Sequence, residues 1–147
     1  MKKPLLLLAL PFIALTSCEK DSVTQYKLQM EQSGYVEVAI KSLTIRFTGN
    51  RYTDSAYMNV EISNRSTKDV TMKFKNTYFT DSEGNKYTFD LTQDGSTVSN
   101  VVEIKMYTSG QVRGTVTFEQ ETYGSLRFHT IINGKWEFTI KNVGAYQ

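Results

Sequence analysis

One histidine and one cysteine bound the chemistry open to this chain of 147 residues. A single histidine excludes a multi-histidine metal site within one chain. A single cysteine excludes both an intrachain disulfide framework and a cysteine-based zinc cluster. His129 sits between Phe128 and Thr130. If Phe128 turns to a core, strand alternation sends His129 to solvent, where a general base would need a nucleophile and an orienting group beside it. The sequence holds no Gly-x-Ser-x-Gly elbow, and Gly124-Ser125 reads as a simple turn. Asp81, Glu83 and Asn85 alternate carboxylate and amide oxygens around Gly84, with Asp90 or Asp94 as further donors; these are the hard ligands calcium prefers. The complete calcium-loop pattern, with its terminal bidentate Glu, is missing, and a tight turn uses the same residue types. No catalytic residue, metal or cofactor is therefore assigned. Among nine tyrosines, Tyr57, Tyr107 and Tyr123 could offer flat faces on which sugar rings stack, although tyrosine is also a favoured strand residue with a wet end.

The nucleophile that the sequence does mark is Cys18. Met1-Lys2-Lys3-Pro4 leads an apolar run from Leu5 to Leu15, followed by Thr16, Ser17 and Cys18. A basic start and a short apolar run form the pattern of a secretory signal, and the run falls short of the roughly 20 residues needed to span a bilayer. Leu15-Thr16-Ser17-Cys18 resembles a bacterial lipobox, where diacylglycerol is joined to the cysteine sulfur and the chain is cut between Ser17 and Cys18. Small residues before the cysteine let the backbone enter a narrow protease groove, and the thiol attacks. Two or three acyl chains, at about 0.8 kcal/mol per buried methylene, hold a protein stably on a membrane. Residues 1–17 are thus expected to be the leader, 18–33 the lipidated cysteine with a polar tether, and 34–147 the folded domain. Glu19 in place of Asp disfavours inner-membrane retention, and Glu19-Lys20-Asp21 resembles the short acidic export signals of some Gram-negative bacteria. The expected location is the outer membrane of a cell envelope, on its periplasmic or its surface-exposed side.

Charge narrows the partners. Removing Lys2 and Lys3 from 17 basic residues leaves 15 against 15 acidic ones. A nucleic-acid binder normally shows a basic stripe, and the nearest approach, Lys73 and Lys75, alternates with Met72 and Phe74 as the wet face of a strand. Nucleic acid is not an expected partner. The membrane is one, through the lipid, and an unknown envelope protein or glycan is another. Asp21-Ser22-Val23 and Asp54-Ser55-Ala56 fit the Asp-Ser/Thr-apolar pattern that some Gram-negative bacteria O-glycosylate, which makes Ser22 and Ser55 candidate modification sites.

The elements that must position these residues read as strands. Val36, Val38 and Ile40 alternate with polar residues, as do Leu43, Ile45 and Phe47, with a slip of phase at Lys41-Ser42. Thr48-Gly49-Asn50 is expected to turn the chain. Ala56, Met58, Val60 and Ile62 follow at period two, then Val70, Met72 and Phe74. The turn Asp81–Asn85 leads back through Tyr87 and Phe89; residues 90–100 read as a longer loop. Val102, Ile104 and Met106 make a strand that Ser109-Gly110 turns into Val112, Gly114, Val116 and Phe118. Gly114 inside a strand implies a bulge or the close approach of a neighbour. Leu126, Phe128 and Thr130 precede an Asn133-Gly134 hairpin signal and the closing Trp136, Phe138 and Ile140. Tyr26, Leu28 and Met30 alternate too, enough for a short edge strand at the end of the tether. Strands that bury one face each predict an all-β chain, an antiparallel sandwich of seven or eight strands, with a small β-barrel as runner-up. The exposed loops 49–55, 64–69 and 90–100 are the candidate binding surfaces.

Three stretches carry a family resemblance: Tyr57-Met58-Asn59-Val60-Glu61-Ile62-Ser63-Asn64, Phe79 to Tyr87, and Ser109 to Glu119. Together they resemble the bacterial extracytoplasmic family catalogued as domain of unknown function 4352, over roughly residues 35–141. The resemblance implies an immunoglobulin-like sandwich behind a lipoprotein or secretion signal. It brings no established activity and no catalytic residues.

Overall fold

The computed structural model describes residues 35–122 and 124–143, together with the backbone of 26–30. All regular structure within them is β. The strands are β1 (Tyr26–Met30), β2 (Tyr35–Ile40), β3 (Leu43–Arg51), β4 (Ser55–Asn64), β5 (Val70–Thr80), β6 (Lys86–Thr88), β7 (Leu91–Gln93), β8 (Ser96–Thr97), β9 (Val101–Ile104), β10 (Ser109–Thr117), β11 (Leu126–Ile132) and β12 (Trp136–Val143). One sheet runs β1-β12-β11-β5-β6, with β9 also on β5; the other runs β2-β3-β4-β10-β7-β8. Every pairing is antiparallel except that of β1, which lies parallel to β12 with Tyr26 opposite Trp136. Neither sheet closes on itself, so the architecture is a two-sheet β-sandwich and not a barrel. Eight strands, β1–β5 and β10–β12, have five residues or more; the four additional short ones raise the count above the expected seven or eight.

The core forms because period-two strands turn alternate side chains into the gap between the sheets. β3 and β4 alternate buried and half-buried residues without a break. From one sheet come Ile45, Phe47, Met58, Val60, Ile62 and Val112; from the other Met72, Phe79, Phe128, Ile132 and Phe138, all almost fully buried. The rings interlock across the gap, with Phe47 centred 5.1 Å from Phe138 and 6.1 Å from Phe128. Each such side chain contributes about 1.5–3 kcal/mol through burial.

Local chemistry sets the turns. Lys41 has a φ of 55° and closes the tight β2–β3 hairpin where the phase slipped. Asn133 and Gly134, at φ of 55° and 70°, close β11–β12. The chain departs from the sequence reading in four places. Thr48-Gly49-Asn50 is not a turn, since β3 continues to Arg51 and the chain reverses at 52–54. Residues 90–100 are not one loop: Leu91 is buried, and β7 and β8 form a small hairpin on Asp94 and Gly95. Met106 lies in a loop, about half exposed, because β9 ends at Ile104. Ser109 and Gly110 open β10 instead of turning, and the reversal falls at 105–108. A β-carbon on Gly110 would lie 2.4 Å from Ile104 Cδ1, so this glycine serves packing.

Candidate functional site

A recess of about 670 Å³ opens at the end of the sandwich where the β5–β6 turn faces the segment after β10. Its scaffold is the carboxylate of Asp81. Oδ1 accepts from the backbone N–H of Glu83 and of Asn85, each at 2.9 Å; Oδ2 accepts from Asn85 Nδ2 and from the Tyr87 hydroxyl, each at 2.9 Å. Partial burial pushes this carboxyl up, but the hydrogen bonds from Asn85, Tyr87 and Glu83 outweigh it and hold the group below the usual carboxylate range. The Tyr87 hydroxyl is driven up by burial and by Asp81. Its ring meets Phe118 edge-on at 5.0 Å, forming the apolar floor. Behind that floor Arg51 is buried and donates from Nη1 to Gly124 O and from Nη2 to Thr122 O. Desolvation pulls its guanidinium below its ordinary value, while Asp81 and Tyr87 act the other way. Glu83, Glu119 and Glu121 line the mouth. The recess is thus open, acidic and braced by a buried cation.

The calcium candidates therefore act as turn residues. Asp81 and the amide of Asn85 are engaged with each other, and Asp94 lies on the separate β7–β8 turn. Among the described residues no group of three or more His, Cys, Asp or Glu side chains is placed to hold a metal.

His129 is half-buried, contrary to the solvent-facing position that alternation alone gave it. It does point out of the core, but its ring stacks on Tyr78 at 4.6 Å and is covered by its neighbours. Nε2 lies 3.0 Å from Thr80 Oγ1 and Nδ1 lies 3.5 Å from Thr139 Oγ1. Burial first, and then Arg127 and Lys86, lower its pKa, with Glu137 opposing. Both ring nitrogens thus face threonine hydroxyls, and Glu137 is the carboxylate close enough to act on the charge of the ring.

Tyr57 and Tyr107 do not converge. Tyr57, on the outer face of β4, lies under the Arg113 guanidinium at 4.2 Å, and Arg113 Nε donates to Asn59 Oδ1 at 2.7 Å. Tyr107 is 65% exposed in the 105–108 loop beside a shallow recess of about 480 Å³. Six residue steps along β4 separate Tyr57 from the Ser63–Ser109 pair that adjoins this loop, about 20 Å at strand rise. Ser55 stands half-buried at the entrance of β4, its hydroxyl 3.3 Å from Asp54 Oδ1. Ser17, Cys18, Ser22 and Tyr123 lie outside the described residues.

The sequence marks Asn64 only as the end of the Tyr57–Asn64 stretch and the start of the loop 64–69. It is buried, and its Nδ2 donates to Lys68 O at 2.8 Å and Ile104 O at 3.1 Å. Its Oδ1 accepts from Ser66 N at 2.9 Å and Ser66 Oγ at 2.7 Å. The signal that could have found it is phase: Asn64 continues the buried series Met58, Val60, Ile62.

No protein-family model and no curated protein matches the chain. Among solved structures, the chain is similar to the ASH / PapD-like domain 7 of human CEP192, at 14% identity and a TM-score of 0.43, over 80% of this chain and 97% of that one. It is also similar to a family 123 glycoside hydrolase from Clostridium perfringens, at 5% identity and a TM-score of 0.43, over 90% of this chain and 26% of that one.

Proposed function

We propose that the chain is a non-enzymatic binding or structural module, a β-sandwich presented at the cell envelope by a lipid on Cys18. The observation that carries this reading is the Leu15–Cys18 box placed eight residues ahead of Tyr26, the first residue of β1. At most about 3.6 Å per residue, the tether reaches no further than roughly 28 Å, so the sandwich stays close to the bilayer that holds the acyl chains. The engagement of both His129 ring nitrogens with threonine hydroxyls and of Asp81 in its own turn supports a binding role over catalysis. The resemblance to domain of unknown function 4352 rests on stretches that fall on β4, on the turn before β6 and on β10, positions that build the sandwich. The open acidic recess at the 81–122 end is the surface for a partner. A second reading, an accessory glycan or small-ligand binder, draws on the exposed Tyr107 at the edge of its shallow recess.

Fractionation of Gram-negative cells expressing the wild type or Cys18→Ala tests the proposal. The wild type is expected in outer-membrane fractions, resistant to carbonate extraction, and the variant outside them. Equal distribution of the two overturns it.

A further inference from the structure

The outer face of the sheet that carries β1 is basic. Along β5, Met72, Phe74 and Phe79 turn into the core, which leaves Lys73, Lys75, Tyr78 and Thr80 turned out. Register then adds cations from other strands. Thr80 is opposite Arg127 on β11 and opposite Lys86 on β6. Between them His129 and Tyr78 form a stacked aromatic shelf, and Lys86 Nζ sits 4.3 Å above the Tyr78 ring. Among the described residues, no carboxylate lies within ion-pair distance of Lys73, Lys75, Lys86 or Arg127. The acidic residues of the described face are Glu137, opposite Ile131, and Glu103, opposite Thr71 at the far end and 3.7 Å from Lys105. Other acids, Glu83, Glu119 and Glu121 with Asp81, gather at the recess instead. The charges of the described residues are therefore polarised, and this face is cationic.

We propose that this face lies on the anionic headgroup surface of the bilayer that anchors the protein, so that the sandwich rests on its β5–β6–β11 side. The proposal rests on the anchoring reading given above. A neutral molecule is not drawn to an anionic surface as a whole, but screening limits the interaction to charges within about 10 Å, so a face in contact feels its own residues. Each lysine or arginine near such a surface favours the contact about fivefold. A tether that reaches roughly 28 Å from Cys18 does not by itself choose a face. Charge does, and β1, the strand nearest the anchor in sequence, is an edge of this same sheet.

The test uses the lipidated mature chain reconstituted into vesicles of phosphatidylcholine alone or of phosphatidylcholine with phosphatidylglycerol at about 7:3. Lysine acetylation is followed by peptide mass spectrometry at low and at 1 M salt. Lys75 and Lys86 are expected to react several-fold more slowly on the anionic vesicles at low salt, with the difference lost at 1 M, while Lys41 in the β2–β3 turn changes little. The variant K75E/K86E/R127E, altered at exposed positions, is expected to lose the protection. Vesicle association with equal labelling on both compositions overturns the orientation and leaves the anchor standing. Failure to associate with either vesicle overturns the anchor itself. Binding of a labelled DNA duplex at the same low salt, abolished by the same variant, assigns the face to nucleic acid and overturns the proposal.

Discussion

Replacing Gly114 by alanine tests the packing of the sandwich at one atom. Gly114 lies in β10 between Met58 of β4 and Leu91 of β7. A β-carbon there would stand 2.0 Å from Phe89 Cε1, 2.4 Å from Cδ1 and 2.8 Å from Cζ. The Phe89 ring cannot simply swing aside, because it packs 5.3 Å from Phe79 and 6.3 Å from Phe128. Forcing a methyl group into such a site costs about 1–3 kcal/mol. Against this, alanine in a strand gains about 0.5–1 kcal/mol over glycine through lost chain entropy. Gly114→Ala is therefore expected to destabilise by about 1–2 kcal/mol. In a Phe89→Ala background the space is empty, and the same substitution becomes neutral or stabilising by about 0.5–1 kcal/mol. The coupling between the two sites is then about 2 kcal/mol, in the range of residues in contact. Urea unfolding followed by the fluorescence of Trp136, the single tryptophan, measures all four members of the cycle. An equal cost of Gly114→Ala in both backgrounds would refute the argument.

Further substitutions probe other parts of the molecule. Gly49→Ala is expected to cost less than Gly114→Ala in the same urea assay. Its β-carbon meets the flexible end of Met58 at 2.7 Å and Val143 Cγ1 at 2.9 Å, and a methionine terminus can move. Asn64→Leu strips the partners from Lys68 O, Ile104 O and Ser66 N, so a loss of about 2–3 kcal/mol is expected, with freed amide exchange in residues 65–68. Asp81 has a folded pKa below its unfolded one, so it contributes stability above the ordinary carboxylate range that is lost as pH falls through that range and below it. Asp81→Asn should flatten the acid limb of the stability curve, and an unchanged limb would contradict the hydrogen-bonded turn. His129 has a folded pKa lowered from 6.5, so the unfolded chain binds the extra proton first and stability falls as pH drops through the ordinary histidine value. The ring-proton resonances of this single histidine should titrate with a midpoint under 6.5.

Much of the fold was legible because a strand in a sandwich repeats every two residues, and that period survives in β3, β4, β10 and β11. Turns with positive φ were legible where asparagine and glycine coincide, as at Asn133-Gly134. The errors share a physical origin. Gly49 and Gly110 were read as turns, yet neither needs positive φ; both lack a side chain because Met58 and Ile104 occupy the space, as Phe89 does at Gly114. Arg51 and Asn64 lie in phase with the core residues of β3 and β4 and are buried, but their polarity hid them. What makes them tolerable inside is a set of backbone carbonyls: Gly124 and Thr122 for Arg51 and Ile104 for Asn64 arrive from distant sequence, and Lys68 from the loop that follows Asn64. Leu91 likewise gave no signal within a polar stretch, because one inward residue has no period. The basic face was half visible as Lys73 and Lys75. Lys86 and Arg127 join it through strand register, which depends on non-local pairing. The recess at Asp81 was visible as a turn, whereas its far wall at 116–122 was not assignable to it without the fold.

The central claim is that a lipid on Cys18 holds the sandwich at a membrane, and the mass of the mature N-terminal peptide tests it most directly. The account predicts that this peptide begins at Cys18 and carries a thioether-linked diacylglycerol, which a Cys18→Ala chain lacks. A mature peptide that begins elsewhere, or at Cys18 without acyl mass, would contradict it.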